Sequence, residues 1–189
     1  RATSNSVICL HSLRFFFPNN EVTDMFYTYQ DIAVKDREER QNYDCILKRG
    51  VSVLVLDSRL EIRPDYIKSF KYTITGNCGN VFNPSTGHCL EKTTLTKTYD
   101  ISGNQYKGKK IMFSSYFFLG EDNVTDITLA TQSVDTENNV AKELSFENVH
   151  MVKGKMTTYK GPFLSTHSAA SFIIDSPTIP DSGFSTEFE

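Results

Sequence analysis

One hexapeptide limits what this chain can fold into. Val51-Ser52-Val53-Leu54-Val55-Leu56 is the most β-prone apolar run in its 189 residues. Side chains alternate between faces along a strand, so Val51, Val53 and Val55 share one face and Ser52, Leu54 and Leu56 the other. Apolar residues on both faces predict a central strand covered on each side. Lys48, Arg49 and Gly50 break the pattern just upstream and predict a bulge or bend. The aromatic content, 14 Phe and 9 Tyr with no Trp, points the same way, towards β-structure.

The rest of the chain repeats the theme more weakly. Ser6 to Phe17 reads as a strand, followed by a Pro18-Asn19-Asn20 turn, and Asp24 to Val34 reads as another strand or strand-like crossing. Lys35 to Asn42 is densely charged without an apolar stripe and reads as a solvated loop, with one or two turns of exposed helix as the alternative. Ile67 to Thr75 alternates Phe70, Tyr72 and Ile74 against Ser69, Lys71 and Thr73, as a half-exposed strand does. Gly76 to His88 is a turn-rich loop, and Leu90 to Ile101 is a Thr-rich edge strand. Lys109 to Leu119 is a second strong strand, and Thr125 to Thr131 and Ala141 to Phe146 flank an Asp135–Asn139 turn. Val149 to Leu164 reads as a crossing with a basic corner, then a strand over Met156 to Tyr159; Ser171 to Ile174 closes the series. About ten short strands without a helical period predict an all-β sandwich or barrel. Residues 1–175 form the single domain of this reading, and the Pro- and Gly-bearing residues 176–189 a loosely held tail.

Charge and hydropathy remove several function classes. The net charge is -3 and no basic block stands out, so nucleic acid is not an expected partner. No apolar run reaches the roughly 18 to 20 residues that span a bilayer. Arg1 to Ser6 is polar and Val7 to Leu10 is too short for a secretory apolar core, so an exported protein is expected here in mature form.

Reactive residues are scattered. Cys9, Cys45, Cys78 and Cys89 contain no C-x-x-C pair, which argues against zinc. Cys78 and Cys89 flank the turn-rich loop and are the candidate disulfide; two reduced thiols are the alternative. His11, His88, His150 and His167 form no close pair. His88 and Cys89 adjoin, but neighbours on a strand face opposite ways. Ser114, Ser115 and Ser165 lie in no G-x-S-x-G elbow, and Glu38-Glu39 has no apolar pocket to raise a carboxyl pKa. Asn123-Val124-Thr125 matches a glycosylation acceptor that matters only in a eukaryotic secreted protein. No catalytic, cofactor or metal residue is therefore assigned, and the chain is expected not to be an enzyme.

Several segments together resemble one family. Leu47 to Val55 is similar to the leucine-x-arginine-x-valine strand of the fimbrillin-like proteins of Bacteroidales, the pilus subunits and their lipoprotein anchor relatives. Ile67 to Ile74 with Asn83-Pro84-Ser85-Thr86-Gly87 resembles their next strand and its turn. Phe113 to Leu119, ending in Gly-Glu-Asp, resembles an aromatic-rich strand end. Val149 to Phe163 and Phe172-Ile173-Ile174-Asp175 resemble the closing pattern and final strand, with His150 where proline is usual and Met156 where arginine is usual. The resemblance covers about residues 43–175. It implies a transthyretin-like β-sandwich of short, mainly antiparallel strands at the cell surface or outer membrane. It also implies a fimbrial, adhesive role as pilus subunit or anchor, with other subunits or further copies joined by strand donation. The tail Gly183 to Glu189, with Phe184 and Phe188 on one face, is the candidate donor strand.

A second reading is a secreted sandwich or barrel that binds a carbohydrate or a small apolar ligand, with Tyr27, Tyr29, Phe113 and Phe117 lining the cavity. The two readings separate on structure. A carrier needs an internal cavity, and a pilin-like subunit needs a filled core with an unpaired sheet edge.

Overall fold

A computed structural model describes residues 14–17, 21–33, 40–166 and 171–178. In chain order the strands are β1 (Phe15–Phe16), β2 (Phe26–Tyr27), β3 (Lys48–Arg49), β4 (Ser52–Asp57), β5 (Ile67–Gly76), β6 (Cys78–Gly79) and β7 (Val81–Asn83). They continue as β8 (His88–Cys89), β9 (Leu95–Asp100), β10 (Met112–Leu119), β11 (Val124–Asp135), β12 (Val140–Val152), β13 (Met156–Lys160) and β14 (Ile173–Thr178). A single 3-10 turn, Asn104–Tyr106, is the only helical element among the described residues. The protein is an all-β sandwich.

The hexapeptide sits where its sequence places it. All of β4 is buried, and it lies inside a five-stranded sheet of order β14-β13-β4-β10-β6. Its Leu54 and Leu56 enter the main core, while Val53 and Val55 pack with Met112 on the opposite face. β10 runs antiparallel to β4, with Phe113 opposite Leu56 and Phe117 opposite Ser52. β13 runs parallel to it, with Met156 beside Val53 and Lys160 beside Asp57; among the described residues this is the only parallel pairing.

The second layer is a four-stranded antiparallel sheet of order β12-β11-β5-β9. Phe70, Tyr72 and Ile74 of β5 face the first sheet and are buried, as the alternation predicts. Between the layers Phe70 stacks on Phe113 at 4.2 Å, and Phe163 meets Phe70 edge-on at 6.1 Å. Each fully buried Phe contributes on the order of 2 to 3 kcal/mol by leaving water. The β11–β12 hairpin turns at Asp135, whose carboxylate accepts the backbone N–H groups of Glu137 (2.9 Å) and Asn139 (2.8 Å). The sheets also join at one end, where Ser52 Oγ donates to the Val152 carbonyl at 3.0 Å and Thr157 Oγ1 to that of His150 at 2.9 Å.

Two smaller sheets, β1-β7-β8 and β2-β3, accompany the sandwich. Val22, Val51, Phe82 and Phe118 form a separate apolar cluster there, with Phe17, Met25 and Tyr27 against it. The Lys48–Gly50 break is therefore a change of partner: Lys48 and Arg49 pair with β2, and Gly50 N–H donates to the Met25 carbonyl at 2.9 Å.

Three expectations need correction. Gly76 to His88 is not one loop: β6 joins the five-stranded sheet, and β7 turns back through Asn83–Gly87 onto β8. Phe82, fully buried, is what draws that stretch inward. Residues Val149 to Val152 belong to β12 rather than to a crossing, because Val149 and Met151 are core residues. Among the described residues 24–33, only Phe26–Tyr27 is strand. Cys9, His11, His167, the Pro18–Asn20 turn, most of the charged Lys35–Asn42 loop, and Phe184 and Phe188 of the candidate donor strand lie outside the described residues.

Candidate functional site

Two places combine exposed apolar or charged groups with a defined architecture: the β13–β14 edge and a cleft around Tyr27.

At the edge, β13 is an interior strand whose Thr157, Thr158 and Tyr159 are buried. β14 pairs antiparallel with it, with Tyr159 opposite Ile174 and Lys160 opposite Ile173, and the register slips between Met156 and Thr158. The strand is held at its start by Phe172. That ring packs edge-on against Phe146 at 4.9 Å and near Phe163 at 5.1 Å. Gly161 makes room for it, since a Cβ there would lie 2.2 Å from the Phe172 ring. Beyond this anchor, Ile173 and Ile174 are 56 % and 59 % exposed. Asp175 binds Lys160 at 2.7 Å.

Polar anchors fix the loop that leads towards β14. The Glu61 carboxylate accepts the backbone N–H groups of Leu164 (2.7 Å) and Ser165 (3.0 Å) and the hydroxyl of Ser58 (2.7 Å). Lys142 Nζ donates to the carbonyls of Pro162 (2.6 Å) and Ser165 (2.9 Å). Burial pulls the Lys142 pKa below the usual lysine range, against the charges of Glu61 and Tyr66. At the near end of β4, burial alone would raise the Asp57 carboxyl. Hydrogen bonds and charge from Arg59, with Lys160 behind it, outweigh burial and hold it below the usual range.

The cleft lies over the β2–β3 ribbon and the β7–β8 turn. It consists of two hollows, of about 370 and about 430 Å³, which share Tyr27, Lys48 and Thr86. Tyr27 is fixed from three sides. Its ring meets Phe82 edge-on at 4.9 Å, and Lys153 Nζ donates to its hydroxyl at 3.2 Å. Gly87 has φ +75°, and a Cβ there would lie 1.9 Å from the Tyr27 hydroxyl, so only glycine allows this contact. Arg49 approaches Asp24 at 3.2 Å and stands over the Phe26 ring at 4.9 Å. His88 lines the second hollow, and among the described residues its buried Nδ1 has no hydrogen-bond partner. Burial and then the Lys153 charge lower its pKa, against a backbone hydrogen bond with Gly120 and the carboxylates of Glu121 and Asp122.

The aromatic set expected to line a cavity divides. Tyr27 and Tyr29 line the cleft, whereas Phe113 and Phe117 are buried in the main core. The gap beside Phe113 and Tyr72 has no room for a water-sized molecule. The cleft's cations were not picked out in the sequence, because Lys48 and Lys153 are brought together only by the fold.

Cys78 and Cys89 are free thiols rather than a bridge. Cys78 is a member of the main core and Cys89 packs against the smaller cluster, so the two side chains serve different interiors. Burial, with a further push from Cys89, raises the Cys78 thiol to about 12. Among the described residues, no group of three or more His, Cys, Asp or Glu is placed to hold a metal ion, and no helix is long and apolar enough to cross a membrane.

Residues 6–187 match the Family of unknown function (DUF6562). The chain belongs to that family. No curated protein matches it. No solved structure matches it.

Proposed function

We propose that this member of the DUF6562 family is a structural, adhesive subunit or anchor of a cell-surface fibre, joined to other copies by exchange of an edge strand. The observation that carries the reading is β14: a strand seated by one aromatic ring, paired on one side among the described residues, with two isoleucines more than half exposed. An edge strand offers unpaired backbone groups to other chains, and in β14 the exposed apolar pair Ile173-Ile174 precedes Asp175 and Pro177. If β14 leaves, it uncovers the backbone edge of β13 and the Phe172 socket, and the same strand from a second copy satisfies both. The resemblance of residues 43–175 to fimbrillin-like proteins supports the same reading. So does the gap beside Phe113 and Tyr72, which has no room for an internal ligand.

The test is the mass of the purified chain by light scattering, with unboiled and boiled denaturing gels. Strand exchange predicts oligomers that survive detergent and vanish on boiling, and that are lost in Phe172→Asp. A monomer at every concentration, before and after partial proteolysis, would sink the proposal.

A further inference from the structure

The cleft around Tyr27 has a chemistry that strand exchange does not use. Its two hollows differ in kind. The first carries the rings of Tyr27 and Tyr29, the apolar Ile46 and Pro84, and the hydrogen-bonding groups of Gln30 and Asp44. Flat aromatic faces beside amide and carboxylate groups suit a sugar ring, which has apolar C–H faces and a rim of hydroxyls. The second hollow is lined by Lys48, Arg49 and Lys153, with Thr86, Asn123 and His88, and among the described residues no carboxylate lines it. Three cationic side chains line one hollow of a chain whose net charge is -3.

The cations are not equivalent. Arg49 is already engaged by Asp24. Lys153 is aimed by the Tyr27 hydroxyl at 3.2 Å and stands 5.4 Å over the same ring. Lys48 is exposed on the ridge shared by both hollows. Gly87 leaves room for the Tyr27 hydroxyl against the turn, and Tyr27 lines both hollows.

We propose that the two hollows form one binding site for an acidic saccharide, with a sugar ring against Tyr27 and Tyr29 and its anionic group between Lys48 and Lys153. A uronate carboxylate and a sulfate ester present the same chemistry to these ammonium groups, and both are acceptable. None of the lining residues belongs to β13 or β14, so the site uses no residue of the exchanged strand.

Titration calorimetry on the full chain at low salt tests it. The probes are a hexauronate, a sulfated hexasaccharide, a neutral glucan hexamer and inorganic sulfate. The acidic hexamers should bind at least about tenfold more tightly than the neutral one, and the preference should shrink as salt rises. The arm that binds more tightly identifies the anion. Lys48→Ala, at an exposed position, and Lys153→Met, which keeps the stem, should each weaken binding by about fivefold. Tyr29→Ala should weaken both acidic hexamers, and Lys109→Ala/Lys110→Ala should change nothing. Thermal melts of each variant establish that it is folded. Equal binding of neutral and acidic hexamers overturns the proposal, as does binding that survives loss of Lys48 and Lys153. Inorganic sulfate binding as tightly as the sulfated hexamer overturns the saccharide assignment, and no binding of any probe overturns the site.

Discussion

β4 and β14 belong to the same sheet and are separated by β13 alone, yet they are opposite solutions to the same problem. Both are short and carry adjacent branched apolar residues. In β4 those residues are sealed: Val53, Leu54, Val55 and Leu56 are each at most 2 % exposed. In β14, Ile173 and Ile174 are more than half exposed, and one aromatic ring holds the strand to the core. Position in the sheet decides the outcome. A strand with neighbours on both sides and both faces buried has nowhere to go, whereas an edge strand is retained only by what one neighbour and one anchor contribute.

That contrast can be broken by experiment, starting at the sealed end. Phe117→Ala, opposite β4 in the main core, should lower unfolding stability by about 3 to 5 kcal/mol in denaturant titration, through lost burial plus a cavity. A loss below about 1 kcal/mol would mean that the interior is loosely packed. Glu61→Ala comes next. It leaves the N–H groups of Leu164 and Ser165 without their carboxylate partner and should cost about 2 to 3 kcal/mol. It should also raise hydrogen exchange in β14 more than in β4, and equal effects on both strands would remove the distinction between them.

Asp57→Asn probes the end of β4 where both strands share Lys160. It should cost about 1 to 2 kcal/mol at pH 7, with Arg59 partly solvated and the pair correspondingly screened. Because the folded carboxyl is held below its unfolded value near 3.9, its contribution is complete above that pH. The contribution is lost as pH falls through the lower folded value. The difference between wild type and Asp57→Asn should therefore narrow below about pH 4 in acid titrations followed by circular dichroism. A gap that stays constant down to pH 2 would show that the ion pair contributes nothing. The smallest effect is expected at the open end. Ile174→Lys should change monomer stability by less than about 0.5 kcal/mol while suppressing detergent-resistant oligomers on unboiled gels.

Much of the architecture was legible in local pattern. The two-faced run at Val51–Leu56 marks a central strand, and Phe70, Tyr72 and Ile74 mark the inner face of β5. Alternation survives in such strands because one face, or both, is buried along their whole length. The short strands β6 to β8 were not legible: two or three residues are too few for a period, and Gly, Asn and Pro dominate the stretch. Nor could sequence separate Tyr27 and Tyr29, which line a cleft, from Phe113 and Phe117, which fill the core. An aromatic residue serves either end, and only its neighbours decide. The wall of cations failed for a related reason. Lys48 and Lys153 are ordinary surface lysines until β3 and the turn after β12 bring them to one hollow.

The parallel seam between β4 and β13 sets a timetable for synthesis. Ser52 and its partner Val152 stand 100 residues apart, and β13 follows later still. As the chain leaves the ribosome at about 5 to 20 residues per second, the Val-Leu-Val-Leu segment waits several seconds for the strand that will flank it. Closing so long a loop is entropically costly and slow. Its antiparallel neighbour β10 emerges earlier and can shield one side, but the other stays open until nearly the whole domain is made. The most aggregation-prone segment of the protein is thus the one whose final cover arrives last, so a nascent chain truncated before Met156 should be a client for holdase chaperones.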